Sequence, residues 1–277
     1  MRKPTPLLSL SEKLWAKAEF CNPTGSVKDR PARQILASVP PGSTVIEATS
    51  GNFGIALAAL CKERGLKCLL VMPDSMTPER QTALKALGAS VVLTPGREGM
   101  AASLEKARLL ASAIPGSFLP KQFENPNNAL AHYQTTGPEI WEQTGGKLQV
   151  FVAGAGTGGT LAGVARYLRE QNPQIRIVAV EPAASPLLSE GRAGSHRIDG
   201  IGANFFPPLL QDTPIDQIVT VSDRDAFLEA QALNARGIPT GISAGANVWA
   251  AARFAAEDLY TVTLLPDRKD RYASLGL

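Results

Sequence analysis

Ser43-Thr44-Val45-Ile46-Glu47-Ala48-Thr49-Ser50-Gly51-Asn52-Phe53-Gly54 joins two local patterns across one glycine. Ser43 to Glu47 reads as a strand, and Phe53 to Arg64 carries the apolar periodicity of a helix. The same unit repeats downstream. Lys67 to Met72 reads as a strand and Thr77 to Leu87 as a helix stopped by Gly88; Ser90 to Leu93 is a strand and Met100 to Ala113 a helix ending before Pro115. A second series runs through a helix at Asn128 to Glu142, a strand at Leu148 to Val152, a helix at Gly159 to Glu170 and a strand at Ile175 to Val180. Gln217 to Val221, Asp223 to Asn234, Ala246 to Ala256 and Thr261 to Leu265 continue the alternation. Repeated βα units with short loops imply parallel sheets. The expected fold class is α/β: two lobes, each an open, mostly parallel twisted sheet flanked by helices, with the ligand in the cleft between them. Arg192 to Leu210, rich in Gly and Pro, breaks the period and reads as a loop at a domain edge or a lid.

The bulk numbers exclude several classes. The 277 residues are 44% hydrophobic and 19% charged, with a formal net charge of +3, which suits one large or two modest globular domains. The charges are scattered, so no basic run suggests nucleic acid. No apolar run follows Arg2 and Lys3, which argues against a signal peptide, and no apolar stretch is long enough to span a membrane. Cys21, Cys61 and Cys68 form no disulfide framework, which points to a reducing compartment, the cytoplasm. Cys61 and Cys68 read as core, and Cys21 as a packing residue beside a turn. His132 and His196 belong to no metal-ligand spacing, so no metal is expected, and no nucleophile elbow accompanies them.

Four segments carry chemistry. Asn22-Pro23-Thr24-Gly25-Ser26-Val27-Lys28-Asp29-Arg30 places one lysine ahead of a helical pattern through Ala32, Ile35 and Leu36. The positive end of a helix dipole disfavours the protonated amine, which suits a nucleophilic, Schiff-base lysine. Thr49, Ser50, Gly51 and Asn52 offer hydroxyls, backbone N–H groups and an amide to a carboxylate; Ser50 or Asn52 would also serve as a plain N-cap. Gly154-Ala155-Gly156-Thr157-Gly158-Gly159-Thr160 follows a strand and opens a helix. It lacks the Gly-Lys-Ser/Thr of a P-loop, and only Glu181 stands where a dinucleotide fold needs an acid, so a single phosphate monoester is the better ligand. Gly241-Ile242-Ser243 is read as a third strand-to-helix junction with a lone hydroxyl or a cap. Gln122 and the run Thr135 to Glu139 are polar clusters, and Pro138 implies a kink. A lysine, a carboxylate cup, a phosphate cup and a hydroxyl together fit pyridoxal 5′-phosphate, whose aldehyde, phosphate and ring nitrogen each need a different partner.

In this order, Asn22 to Arg30, Thr49 to Asn52, Gln122-Phe123, Gly156 to Thr160 and Gly241 to Ser243 resemble the cysteine synthase (O-acetylserine sulfhydrylase) family of fold type II pyridoxal-phosphate enzymes, the tryptophan synthase β-like group. The ending Leu265 to Tyr272 and Ala131-His132-Tyr133 look like the B-type, whereas Gly158 looks like the A-type. The resemblance implies that Lys28 holds the cofactor and acts as general base, and that Gly156, Thr157, Gly158, Gly159 and Thr160 bind its phosphate. It also implies that Asn52 bonds the ring 3′-oxygen and Ser243 faces the pyridine nitrogen. Thr49, Ser50, Gly51 and Gln122 would hold the substrate carboxylate, with Phe53 an apolar wall where most members have Thr. The implied reaction is β-replacement giving L-cysteine from O-acetyl-L-serine and sulfide. The alternatives are O-phosphoserine or serine with an amine or other nucleophile, as in relatives that make a diaminopropionate precursor, and a non-catalytic regulatory homologue. A homodimer is implied, with residues 14–125 as a small mobile carboxylate-binding domain and 1–13 and 126–277 as the large phosphate-binding domain.

Overall fold

The structure, a computed structural model, describes residues 3–49, 51–76, 78–275 and 277, without the side chains of 78–80 and 273–275. In chain order the first half forms β1 (Leu7–Ser9), β2 (Leu14–Ala18), α1 (Asp29–Leu36), β3 (Thr44–Ala48), α2 (Asn52–Arg64), β4 (Lys67–Pro73), α3 (Pro78–Ala86), β5 (Ser90–Thr94), α4 (Gly99–Ala113) and β6 (Ser117–Phe118). The second half forms α5 (Pro126–Gln134), α6 (Thr136–Gln143), β7 (Val150–Gly154), α7 (Gly159–Gln171), β8 (Arg176–Pro182), α8 (Leu187–Glu190), β9 (Gln217–Val221), α9 (Asp223–Ala235), α10 (Ile242–Ala256) and β10 (Thr261–Leu265). The chain divides into two compact units, Lys28–Asn125 and Met1–Val27 with Pro126–Leu277.

In the smaller unit the sheet runs β5-β4-β3-β6, parallel throughout. Side chains alternate between its faces. Val45, Leu70 and Met72 join Ala32 and Ile35 of α1 and Phe53 and Leu57 of α2; Ile46 and Val71 join Ala107 of α4. Burial on both faces is why these strands read as nearly continuous apolar runs.

The larger unit holds a sheet in the order β1-β2-β10-β7-β8-β9, parallel except for the β1–β2 pair. Val150, Val152, Val178 and Val180 pack with α9 and α10, while Phe151, Ala153, Ile177 and Ala179 pack with α6 and α7.

Several sequence expectations are corrected. The smaller unit begins at Lys28 rather than residue 14, because β2 pairs with β10 from Leu14↔Thr261 to Ala18↔Leu265. Asn128 to Glu142 is two helices, broken at Thr135 (φ −129°), whose hydroxyl donates to the Ala131 carbonyl at 2.6 Å. Pro138 then sits in the first turn of α6, where its missing N–H is not needed. No strand precedes Ser243: α9 leads directly to α10, which starts at Ile242 rather than Ala246. Cys61 and Cys68 are buried as expected, but Cys21 is exposed. No helix among the described residues is long and apolar enough to cross a membrane.

Candidate active site

Strand order places the loops. In the smaller unit the chain leaves β3 toward β4 and returns at β6 on the other side of β3. Open α/β sheets bind ligands at such a reversal, beyond the carboxyl ends of the strands. Thr49 to Gly51 leaves β3 there, and the turn at Lys121–Asn125 follows β6. The Thr49 N–H donates to the Val71 carbonyl at 3.0 Å, and the Gly51 N–H reaches Thr49 Oγ1 at 3.4 Å. Gly51 is exposed and is the N-cap of α2, so Asn52 enters the first helical turn and is not a cap. Ser50 lies outside the described residues. Thr49 and Gln122 are buried.

Glu47, which the sequence reading passed over, supports this loop. Its Oε2 accepts the Lys121 N–H at 2.9 Å, and the backbone N–H groups of Ala48 and Gln122 add to the groups that favour its charged form. Burial pushes this carboxyl up to about 7, outweighing the three N–H groups that favour the charged form.

Lys28 is the N-cap of α1, half-buried, as the turn before it implied. Phe53 is 2% exposed and belongs to the apolar cluster that joins α1 to α2. Its ring therefore helps to set the helix that Lys28 opens.

The larger unit repeats the logic. β7 lies between β8 and β10, so the loop after β7 is again at a reversal. The first helical bond of α7 runs from the Ala162 N–H to the Gly158 carbonyl at 2.9 Å. The first turn thus presents N–H groups that the helix cannot satisfy, at its positive end. Gly158 has φ +86°. A Cβ at Gly156 would lie 2.3 Å from the Gly200 carbonyl oxygen, and one at Gly159 would lie 2.0 Å from Asn128 Oδ1. Only glycine lets the backbone pass there.

Two residues that sequence reasoning missed brace this cup. Asn128 Nδ2 donates to Thr157 Oγ1 at 3.0 Å, and His132 Nε2 lies 3.2 Å from Thr160 Oγ1 while its Nδ1 lies 2.8 Å from Thr136 Oγ1. They stand four apart on α5, both about 1% exposed. Two polar residues on one face of a helix was the signal that could have found them.

Part of the glycine-rich stretch from Arg192 to Leu210 lies against the cup, with the Gly202 N–H donating to the Ala155 carbonyl at 2.9 Å. A Cβ at Gly200 would come within 3.8 Å of Ser243 Oγ. Ser243 is 2% exposed in the first turn of α10, where Gly241 is the N-cap. The structure thus brings Gly156–Thr160 and Ser243 together within one unit, and Thr49, Gly51 and Gln122 together within the other. In the polar run at Thr135–Glu139, Thr136 reaches the cup through His132, whereas Glu139 pairs with the fully buried Lys17 at 2.6 Å.

A phosphorylated heteroaromatic ring fits the larger unit. The glycine positions form a cradle that a Cβ would fill. One turn beyond Ser243, the buried Asn247 Oδ1 has no hydrogen-bond partner, and a Cβ at Gly154 would lie 3.1 Å from it. Glu181 does not serve a dinucleotide ribose, because its carboxylate accepts the Leu188 and Ser189 N–H groups at 2.7 and 3.1 Å and caps α8. Among the described residues no group of three His, Cys, Asp or Glu side chains is arranged to hold a metal ion.

A half-buried lysine opening a helix in one α/β unit, and a glycine-lined helix start with a buried hydroxyl in the other, are groups of the kinds that pyridoxal-phosphate chemistry calls for. Residues 1–267 match the pyridoxal-phosphate dependent enzyme family, and the chain belongs to it. It is 44% identical over 284 residues to cysteine synthase B of Campylobacter jejuni, covering 99% of this chain and 95% of that protein. Among solved structures it resembles the O-acetylserine dependent cystathionine β-synthase of Helicobacter pylori, with a TM-score of 0.91, 40% identity and coverage of 98% and 95%. It also resembles an O-ureido-L-serine synthase, with a TM-score of 0.93, 38% identity and coverage of 98% and 91%.

Proposed function

We propose that the chain catalyses β-replacement, forming L-cysteine from O-acetyl-L-serine and sulfide. The observation that carries this reading is the buried Ser243 hydroxyl beside the glycine cup. A carboxylate at that place would hold a proton on the ring nitrogen, whereas a hydroxyl leaves it neutral and favours elimination at Cβ over transamination. The near full-length likeness to cysteine synthase B of Campylobacter jejuni supports the same reading.

When bound, the cofactor stabilises the negative charge left at the substrate α-carbon. Lys28 Nζ would hold its aldehyde carbon and, once displaced by the substrate amine, take the α-proton as acetate leaves. Thr49, Gly51 and Gln122 would hold the substrate carboxylate, so that the Cα–H bond faces Lys28. Lys28 Nζ would return the proton to Cα once sulfide has added at Cβ. The backbone N–H groups of Gly156–Thr160 would anchor the phosphate, and Asn52 the ring 3′-oxygen. Cytoplasmic location and a homodimer belong to the same proposal; the free cysteines support the first, and sedimentation would test the second.

A second reading keeps the donor and changes the nucleophile. It is favoured by the names of the two structural neighbours, one a cystathionine and the other an O-ureidoserine synthase. The purified, cofactor-loaded protein is given sulfide or other nucleophiles with O-acetyl-L-serine, O-phospho-L-serine or L-serine. Cysteine from the acetylated donor is the expected product, and none from that donor sinks the first reading.

A further inference from the structure

Glu47 takes no part in the steps above, yet it is 5% exposed at the end of β3, directly before the carboxylate loop. The β3–β6 ladder pairs only Thr44 with Ser117 and Val45 with Phe118, so it stops short of Gln122. Beyond it, Lys121 has φ +52°, a left-handed conformation that is strained for a non-glycine residue. The Lys121 carbonyl closes the turn by accepting the Glu124 and Asn125 N–H groups, both at 2.9 Å. The Glu47 carboxylate accepts the Lys121 N–H at 2.9 Å, and the backbone N–H groups of Gln122 and Ala48 also favour its charged form. A carboxylate has two acceptor oxygens for this task, and a glutamine amide has one.

We propose that Glu47 is a positioning residue: it ties the strained Lys121–Gln122 turn to the end of β3 and so sets Gln122 for the carboxylate of an amino-acid substrate. This rests on the reading that Gln122 holds that carboxylate.

The test uses cofactor-loaded enzyme and the variants E47A, E47Q, Q122A and E47A/Q122A. Three quantities are read: KM for O-acetyl-L-serine, kcat, and the dissociation constant of L-serine from the change in the cofactor's visible band. E47A is expected to raise KM and the L-serine constant about tenfold with a smaller change in kcat, because a displaced binding group weakens substrate capture first. E47Q, which keeps one acceptor, restores most of the loss and remains readable if E47A folds poorly. The double variant is expected to be no worse than Q122A alone, since coupled residues are not additive. Independent, multiplying effects of E47A and Q122A overturn the proposal, as does an E47A that loses thermal stability with both constants unchanged. If Q122A leaves KM unchanged, the carboxylate role of Gln122 falls, and the proposal with it; if Q122A raises KM while E47A and E47Q do not, only the Glu47 proposal falls.

Discussion

Replacing Glu47 by glutamine should change the pH dependence of stability in a defined direction. The carboxyl titrates at about 7 in the folded chain and at about 4.3 in the unfolded chain. Burial is the main cause; the Lys121, Ala48 and Gln122 N–H groups oppose it, and the nearby Glu124 carboxylate adds to it. The Lys121 ammonium lies 3.5 Å from Glu124, exposed to solvent. Between the two values the folded state keeps a proton that the unfolded state has released, so stability falls as pH rises through this window. The interval of about 2.7 units corresponds to about 3 to 4 kcal/mol, with a slope of about 1.4 kcal/mol per pH unit at its centre. The E47Q variant has no proton to release at this position and lacks the dependence; its amide keeps one carbonyl acceptor, as the protonated carboxyl does. Urea unfolding of both proteins from about pH 4.5 to about pH 8.5 measures the difference, in which other titrating groups cancel. Wild type should lose ground steadily up to about pH 7 and then run parallel to the variant. A difference constant across the range would refute the reasoning, and one that grows in favour of wild type would mean that the three N–H groups outweigh burial.

Lys28→Ala should cut turnover by about a thousandfold or more, through loss of the general base and of covalent cofactor attachment, and shift the cofactor's visible band. Gly159→Ala should weaken cofactor binding and cost about 1 to 3 kcal/mol by overpacking against Asn128, read by cofactor titration and thermal unfolding. Gly42→Ala, at φ +78° with nothing near its side, should cost about 1 kcal/mol in thermal unfolding and leave cofactor binding alone. Lys17→Ala should cost about 3 to 5 kcal/mol in urea unfolding, because Glu139 loses its partner in a buried ion pair.

The two βα series and the turns that hold Lys28, Thr49–Asn52 and Gly156–Thr160 were legible because each is set by residues adjacent in the chain. Strand patterning, a glycine and a helix start suffice for those. β1 and β2 were not legible. Leu14-Trp15-Ala16-Lys17-Ala18 puts a lysine at a position with no exposure, made tolerable by groups distant in sequence: the Glu139 carboxylate, the Thr5 carbonyl and the Gln143 amide oxygen. The start of α10 was missed because Gly241, a poor helix former, serves as its cap, with Asp267 and Tyr272 packed so closely that a Cβ would come within 2.3 Å of both. No local pattern reports a neighbour that far along the chain.

The same division separates the residues that would touch ligand from those that support them. Lys28, Thr49, Gly51 and Gly156 sit on turns beside a helix start, so sequence shows them. Glu47, Asn128 and His132 act across 74, 29 and 28 positions of sequence, toward Lys121, Thr157 and Thr160. Their partners are in each case the backbone or hydroxyls of the ligand-facing segments. A group that touches substrate only through another changes where a ligand sits before it changes what bond breaks. Substitutions at these supports should therefore appear first in cofactor or amino-acid affinity, and substitutions at Lys28 in turnover. That separation follows from where the hydrogen bonds run, whichever nucleophile the enzyme uses.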